Sequence, residues 1–298
     1  MRKLSGGICE LRMKTLAPLA FFSISLFSCQ KEISSVAEPI VPTDTATLDR
    51  FVRATSITDA QLKTSLDSLI TNARNHGWWD LCNAIYPFVG GSSETCKYNL
   101  KDPRDDDGAY RITWHGNITF DAGGGISTGG FGDTHIVPSS AFTLSSNHLS
   151  YYSTTDAFDT ASVDAGCSDG VHDIQLRIYC GLNQGWYLAG ISQAAYLTNE
   201  GLTGWFLGTR TGSSASEAAL YKNGLKIGLG NANPQNVEGL PGSYSIALLN
   251  FNNAGIYTKS SNRKCAFATI GFGIDSVMAV QMYADIQSFQ SQLGREVH

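Results

Sequence analysis

The chain has 298 residues, 42% of them apolar and 16% charged, which is enough apolar material for a buried core. Its formal net charge is −5, and it becomes −8 once residues 1–28, with four basic and one acidic side chains, are removed. A nucleic-acid binder needs a basic surface to displace counterions from phosphates, so that class is excluded.

Lys14 precedes an apolar run from Leu16 to Phe27, twelve residues long. That is too short for a bilayer core of roughly 30 Å and has the form of a signal peptide, with Met1 and Met13 as alternative starts. The run closes in Leu26-Phe27-Ser28-Cys29, which resembles a bacterial lipobox. The resemblance implies cleavage before Cys29, acylation of its thiol, and attachment to a lipid bilayer, with each buried methylene contributing about 0.8 kcal/mol. The chain is then expected to be lipid-anchored at the bacterial outer membrane, facing the periplasm or the cell surface. Residues 29–46, polar and with Pro39 and Pro42, read as a flexible tether.

A helical piece over 47–54 opens the next segment, 47–108. A stronger helix starts at Thr58, where Thr58-Asp-Ala-Gln61 has the form of a capping box. Leu62, Leu66, Leu69, Ile70 and Ala73 share one face of it, and Gly77 ends it. The stretch from Trp78 to Gly91 carries four large rings among Leu, Ile and Val, which is the composition of a packing plug more than of a wet platform.

From Ala109 to Ile270 the period changes to strands and tight turns. The clearest runs are 110–114, 117–120, 148–152, 173–179, 185–190, 203–209 and 244–249. Several alternate apolar and polar residues, as half-buried sheet does. Asn223-Gly224 supplies the two positive-φ positions of a type I′ hairpin between Leu220-Tyr221 and Leu225-Ile227. About ten to twelve strands without intervening helices predict a mainly β fold over 109–274, an antiparallel two-sheet sandwich of the jelly-roll kind. Over 275–298, Asp275 caps a last helix whose Met278, Met282, Ile286, Phe289 and Leu293 share one face, and Gly294 ends it.

The hairpin Tyr221-Lys-Asn-Gly-Leu-Lys-Ile227 looks like that of concanavalin A-like and laminin-G-like jelly rolls. The strings Trp79–Gly91, Asn99–Arg104, His148–Ser153, Cys265–Gly271 and Phe289–Arg295 resemble uncharacterised proteins of phage tail regions and bacterial surfaces. That resemblance implies no activity, and the lipobox departs from the phage members.

Five cysteines follow Cys29. Cys82 with Cys96 and Cys167 with Cys180 are the natural disulfide pairs for an exported chain, other pairings being open, while Cys265 reads as a buried free thiol. Asp102, Asp105, Asp106 and Asp107 form an acidic loop that offers the only cofactor place, for calcium, although Pro103 and Trp114 break the EF-hand pattern. Gly125-Ile-Ser-Thr-Gly129 matches a nucleophile elbow in letters but has no helix-forming run behind it, and His135, His148 and His172 are scattered singly. Glu200, Glu217 and Glu238 have no acidic partner at the spacing of a retaining glycosidase. The expected function is therefore non-catalytic recognition of a polysaccharide, surface glycan or surface partner. Trp114, Tyr152, Trp186, Tyr187 and Trp205 are the strand aromatics that could stack on sugar rings. The alternatives are a polysaccharide-cleaving enzyme on the same fold and a phage-derived structural or adhesion protein.

Overall fold

A computed structural model of the chain describes residues 45–123, 125–127, 129–179, 181, 184–197 and 201–297. Cys29, Cys180, Glu200, the expected leader and nearly all of the tether lie outside these residues. One compact unit runs from Val41 to His298. Among the described residues no helix is long and apolar enough to cross a membrane.

The unit begins with α1 (Thr45–Thr55) and α2 (Ala60–Asn75), followed by β1 (Cys82–Tyr86) and a single turn, α3 (Ser93–Cys96). Then come β2 (Thr113–Gly116), β3 (Thr119–Asp121), β4 (Gly125–Ser127), β5 (Gly130–Asp133) and a second short turn, α4 (Pro138–Ala141). The middle of the chain gives β6 (Asn147–Ser153), β7 (Ala165–Ser168), β8 (Asp173–Arg177), β9 (Gln184–Ala189), β10 (Ser192–Leu197) and β11 (Gly204–Arg210). It closes with β12 (Ala218–Lys222), β13 (Leu225–Ala232), β14 (Ala247–Leu248), β15 (Phe251–Asn253), β16 (Ile256–Thr258), β17 (Cys265–Gly271) and α5 (Ser276–Gln292).

The strands form one hydrogen-bonded sheet folded into two facing layers. The first layer runs β1-β17-β6-β11-β12, antiparallel throughout. At the expected hairpin, Asn223 (φ 49°) and Gly224 (φ 76°) turn the chain, and β13 pairs with both β12 and β10, forming the corner. The second layer continues β10-β9-β8-β7-β14-β5-β2, also antiparallel, while β15 runs parallel to β7.

Between the layers lies one core, with Tyr151, Phe206 and Leu220 from the first and Ile174, Leu176 and Tyr187 from the second. A Cβ on Gly208 of β11 would lie 2.2 Å from the Tyr187 ring of β9, so the layers meet through that glycine. The Tyr187 hydroxyl then donates to the Asn147 side-chain oxygen.

Residues next in sequence point the other way. Tyr152, Trp205 and Phe267 leave the first layer on its outer face and pack against Leu66, Ile70, Met282, Ile286 and Phe289 of α2 and α5. The order of layers is helices, first sheet, core, second sheet, solvent. With both faces covered, β6, β11 and β17 are buried along their whole seven-residue lengths. The helix layer is also fixed by polar bonds. Asp285 of α5 accepts from the Trp78 indole N–H at 2.8 Å, and the Arg295 guanidinium donates to the carbonyls of Pro87, Phe88 and Ala266.

The mainly β, two-layer antiparallel fold with N- and C-terminal helices is as expected, and the plug reading of Trp78–Val89 holds, since Trp78, Trp79, Tyr86, Phe88 and Val89 are all buried. Two details differ. Asp59, not Thr58, caps α2, accepting from Leu62 N–H at 2.7 Å. The strands number more than twelve because short pairs such as β3–β4 and β15–β16 carry little apolar pattern. The pairing of Cys82 with Cys96 is corrected. Both are free and buried, Cys82 under the helix layer and Cys96 in the inter-sheet core. Closeness in sequence misled here, because the strand between them and its turn send the two thiols to different cores. Cys167 is likewise a free buried thiol, and Cys265 is free and buried as expected.

Candidate functional site

Among the described residues no α-helix covers the outer face of the second layer, and its pairing register builds a cleft there. Gln175 of β8 lies opposite Leu188 of β9, Leu188 opposite Gln193 of β10, and Gln193 opposite Asn231 of β13. Two residues along, Arg177 lies opposite Trp186, and Trp186 opposite Ala195. Because side chains alternate along a strand, both rows point to the same outer face.

On that face a cleft of about 300 Å³ is lined by Gln175, Trp186, Leu188, Gln193, Asn233, Gln235 and Asn236. A neighbouring depression of about 350 Å³ shares Gln193, Asn233 and Gln235. The first falls at the lower end of the usual size for a small-ligand site, about 300–1,000 Å³.

The wall is held in place. The Asn233 backbone N–H donates to Ile191 O at 2.8 Å, its side-chain N–H₂ to Gln193 Oε1 at 2.5 Å, and its side-chain oxygen accepts from Gln235 N–H at 3.1 Å. Asn236 N–H closes the turn on Asn233 O at 3.1 Å. Asn233 thereby fixes the loop that carries Pro234 to β10. The tryptophan is held from the side by Arg177, whose guanidinium carbon sits 5.0 Å from the indole and whose Nε donates to Gln175 Oε1 at 2.9 Å.

Amides both donate and accept, and an indole offers a broad apolar face. Such a lining suits a neutral ligand that alternates hydroxyl groups with an apolar face. None of the described lining residues is ionisable.

Of the five strand aromatics singled out from sequence, Trp186 alone stands half-exposed in this cleft. Tyr152, Tyr187 and Trp205 are buried, and Trp114 packs against the core with its indole N–H on Ser93 O at 3.1 Å. Sequence reasoning missed Gln175, Gln193 and Asn233. Their signal was polar side chains recurring on strands beside a tryptophan, visible only once the register is known.

The other expected sites do not assemble. Asp102 binds Arg104 at 2.6 Å, Asp105 binds Lys97 at 3.0 Å and Arg111 at 2.9 Å, Asp106 lies 3.2 Å from Arg104, and Asp107 lies 3.0 Å from Arg111. The Arg104 hydrogen bonds hold the Asp102 carboxyl below its ordinary range, and Lys97 does the same for Asp105. The four carboxylates thus spend themselves on arginine and lysine, and among the described residues no group of His, Cys, Asp or Glu is arranged for a metal ion. Gly125–Ser127 is strand β4, not a turn into a helix, which removes the nucleophile-elbow geometry. His135 lies 2.8 Å from Thr113 Oγ1, His172 lies 3.0 Å from Asp169, and His148 is buried. Glu217 caps Ser214 N–H and Glu238 pairs with Arg210.

No family model matches the chain. No curated protein matches it either. Solved structures do match, among them the NanB sialidase from Streptococcus pneumoniae (K499G mutant), at 10% identity and a TM-score of 0.33 over 46% of this chain and 23% of that one. Domain 4 of AbnA, a GH43 extracellular arabinanase from Geobacillus stearothermophilus solved with arabinotriose, matches at 13% identity and a TM-score of 0.39, over 67% of this chain and 97% of that one. The Ruminococcus gnavus IT-sialidase CBM40 bound to alpha2,6 sialyllactose matches at 9% identity and a TM-score of 0.34, over 50% and 88%. The chain spans under a quarter of the length of the NanB sialidase. At such identities and TM-scores, none of these lends the chain a family or an activity.

Proposed function

We propose that the chain is a lipid-anchored, non-catalytic glycan-binding protein of the bacterial outer membrane. In this reading acylated Cys29 holds it on the bilayer, residues 30–46 give it reach, and the outer face of β8, β9 and β10 receives the ligand. The observation that carries the binding part is the cleft of Trp186 with five amide side chains, Gln175, Gln193, Asn233, Gln235 and Asn236, and no ionisable residue among the described lining. The ligand class is a neutral polysaccharide segment, stacked on Trp186 and hydrogen-bonded by the amides. The free energy of such stacking is modest, so affinity for a single sugar is expected to be weak and to rise with chain length.

A glycan array probed with the chain from residue 30 onward tests this. Binding to one or more neutral polysaccharides that is lost, at least tenfold, in Trp186→Ala supports the reading. Silence on all polysaccharides, or binding that Trp186→Ala leaves unchanged, removes it. Palmitate labelling that follows Cys29 and disappears in Cys29→Ser tests the anchor separately.

A further inference from the structure

The register that builds the cleft continues past it, onto β13. Trp186 of β9 lies opposite Ala195 of β10, and Ala195 lies opposite Leu229 of β13. Two residues along each strand, Leu188 lies opposite Gln193, and Gln193 opposite Asn231. Side chains two apart on a strand share a face, so these are two parallel rows on one surface, running across the strands.

The rows differ in chemistry. The first is apolar and open to solvent, with Trp186 half-exposed, Ala195 exposed and Leu229 71% exposed. A lone exposed leucine needs no explanation, but this one prolongs a row begun by a tryptophan. The second row passes from the buried Leu188 to two amides, Gln193, half-exposed, and Asn231, exposed.

The two hollows follow the rows. The cleft takes in β9 and β10 through Trp186, Leu188 and Gln193, and the depression carries on over β10 and β13 through Gln193, Ala195 and Asn231. Asn233 and Gln235 line both, and Asn233 is bonded to Gln193 at 2.5 Å, so the loop after β13 walls the trough on its amide side. No described lining residue of the depression is ionisable either.

We propose that a glycan chain lies across the strands in this trough, with apolar ring faces on Trp186, Ala195 and Leu229 and hydroxyl edges on Gln193 and Asn231. The proposal rests on the glycan reading of the cleft and adds the direction of the chain and the residues that hold its far end. Neighbouring strands are about 4.8 Å apart, so Trp186 and Leu229 stand ~10 Å apart, a span for linked rings and not for one. A chain lying along β9 instead would meet Trp186 and Leu188 and leave Leu229 and Asn231, two strands away, untouched.

Calorimetry with the chain from residue 30 onward, which contains the whole compact unit, separates the two directions. The probes are gluco-, xylo-, arabino-, manno- and galacto-oligosaccharides, each from monomer to hexamer. Asn231→Ala/Leu229→Ser is expected to weaken trimers and longer chains at least tenfold and to leave the shorter ligands unaffected. Both side chains are exposed, so the melting temperature should stay unchanged. Binding that Trp186→Ala abolishes but the double variant leaves intact for every length overturns the crosswise chain and keeps the cleft. A double variant that weakens monomer and hexamer equally overturns it too. Silence with every series, or binding indifferent to Trp186→Ala, removes the glycan reading and this one with it.

Discussion

At the scale of single residues, the deepest commitment is the ion pair of Asp164 and Arg263, both fully buried, with Nη1 at 2.9 Å from Oδ1. Asp164 also accepts from Ser261 Oγ at 2.6 Å and from Ile178 N–H at 2.7 Å, and Arg263 reaches Ser162 Oγ and Ala157 O. The pair fastens the 157–164 loop to the residues leading into β17. Asp164→Ala leaves a buried guanidinium without its counter-charge, and a loss of about 3–5 kcal/mol is expected in urea denaturation. Asp164→Leu with Arg263→Met removes both charges and should recover most of that loss; a double variant as unstable as the single one would show that the charges themselves stabilise the fold.

The cysteines make a second prediction at this scale. Burial pushes the Cys82 thiol up to about 12 and the Cys96 thiol up to about 11, so at neutral pH neither forms the thiolate that reacts. Burial raises Cys167 and Cys265 as well. Mass mapping after iodoacetamide should find these four unmodified in the native protein and modified after unfolding. Finding Cys82 linked to Cys96 in the native protein would contradict the packing described.

At the scale of elements, the joint between β6 and β17 carries a closed polar chain. The Phe272 carbonyl can only accept, so His148 donates from Nδ1 at 2.5 Å, which leaves Nε2 to accept from Thr269 Oγ1 at 2.9 Å. Ser150 Oγ in turn donates to Thr269 Oγ1 at 2.7 Å and accepts from Thr269 N–H at 3.1 Å. A proton on Nε2 would break this chain in a dry interior. Burial accordingly lowers the His148 imidazole from 6.5 to about 4, against the opposing pull of the Phe272 carbonyl.

Between those two values the unfolded chain binds the proton and the folded one does not. Stability therefore falls as pH drops from about 6.5 to about 4, by about 3 kcal/mol in full. Melting temperatures across that window should flatten in His148→Gln relative to the parent. An unchanged slope would show that other groups cause the acid sensitivity.

The helices were the most legible elements, because their apolar stripes and stops are local. Gly77 and Gly294 end α2 and α5 in positive φ, and Asp275 caps α5 by accepting from Met278 N–H at 2.8 Å. The shift of the α2 cap from Thr58 to Asp59 follows from two adjacent residues that can both cap, a choice only the backbone makes.

At the scale of the molecule, the two-layer β build was legible from alternation and turn chemistry, but the layer that helices cover was not. In β6 and β11 both faces are buried, so Tyr151 beside Tyr152 and Trp205 beside Phe206 read as continuous apolar runs with no outward side. Only the docking of α2 and α5 shows that these faces are dry. The face that no described α-helix covers belongs to β8, β9 and β10, where Trp186 and Gln193 are half-exposed and the buried Gln175 sits at a strand position that a covered sheet would fill with an apolar residue. The candidate cleft depends on that long-range register and on Asn233 bracing it, neither of which a single sequence displays.

In the proposed function this uncovered face recognises a neutral glycan through Trp186. That recognition is tested most directly by following the indole and side-chain amide N–H signals of the chain from residue 30 onward in heteronuclear NMR while titrating the polysaccharides of the array. The Trp186 indole and the Gln193 and Asn233 amides should shift together, with the Trp78 and Trp205 indoles unmoved. Shifts centred on any other surface, or none with any neutral polysaccharide, would contradict it.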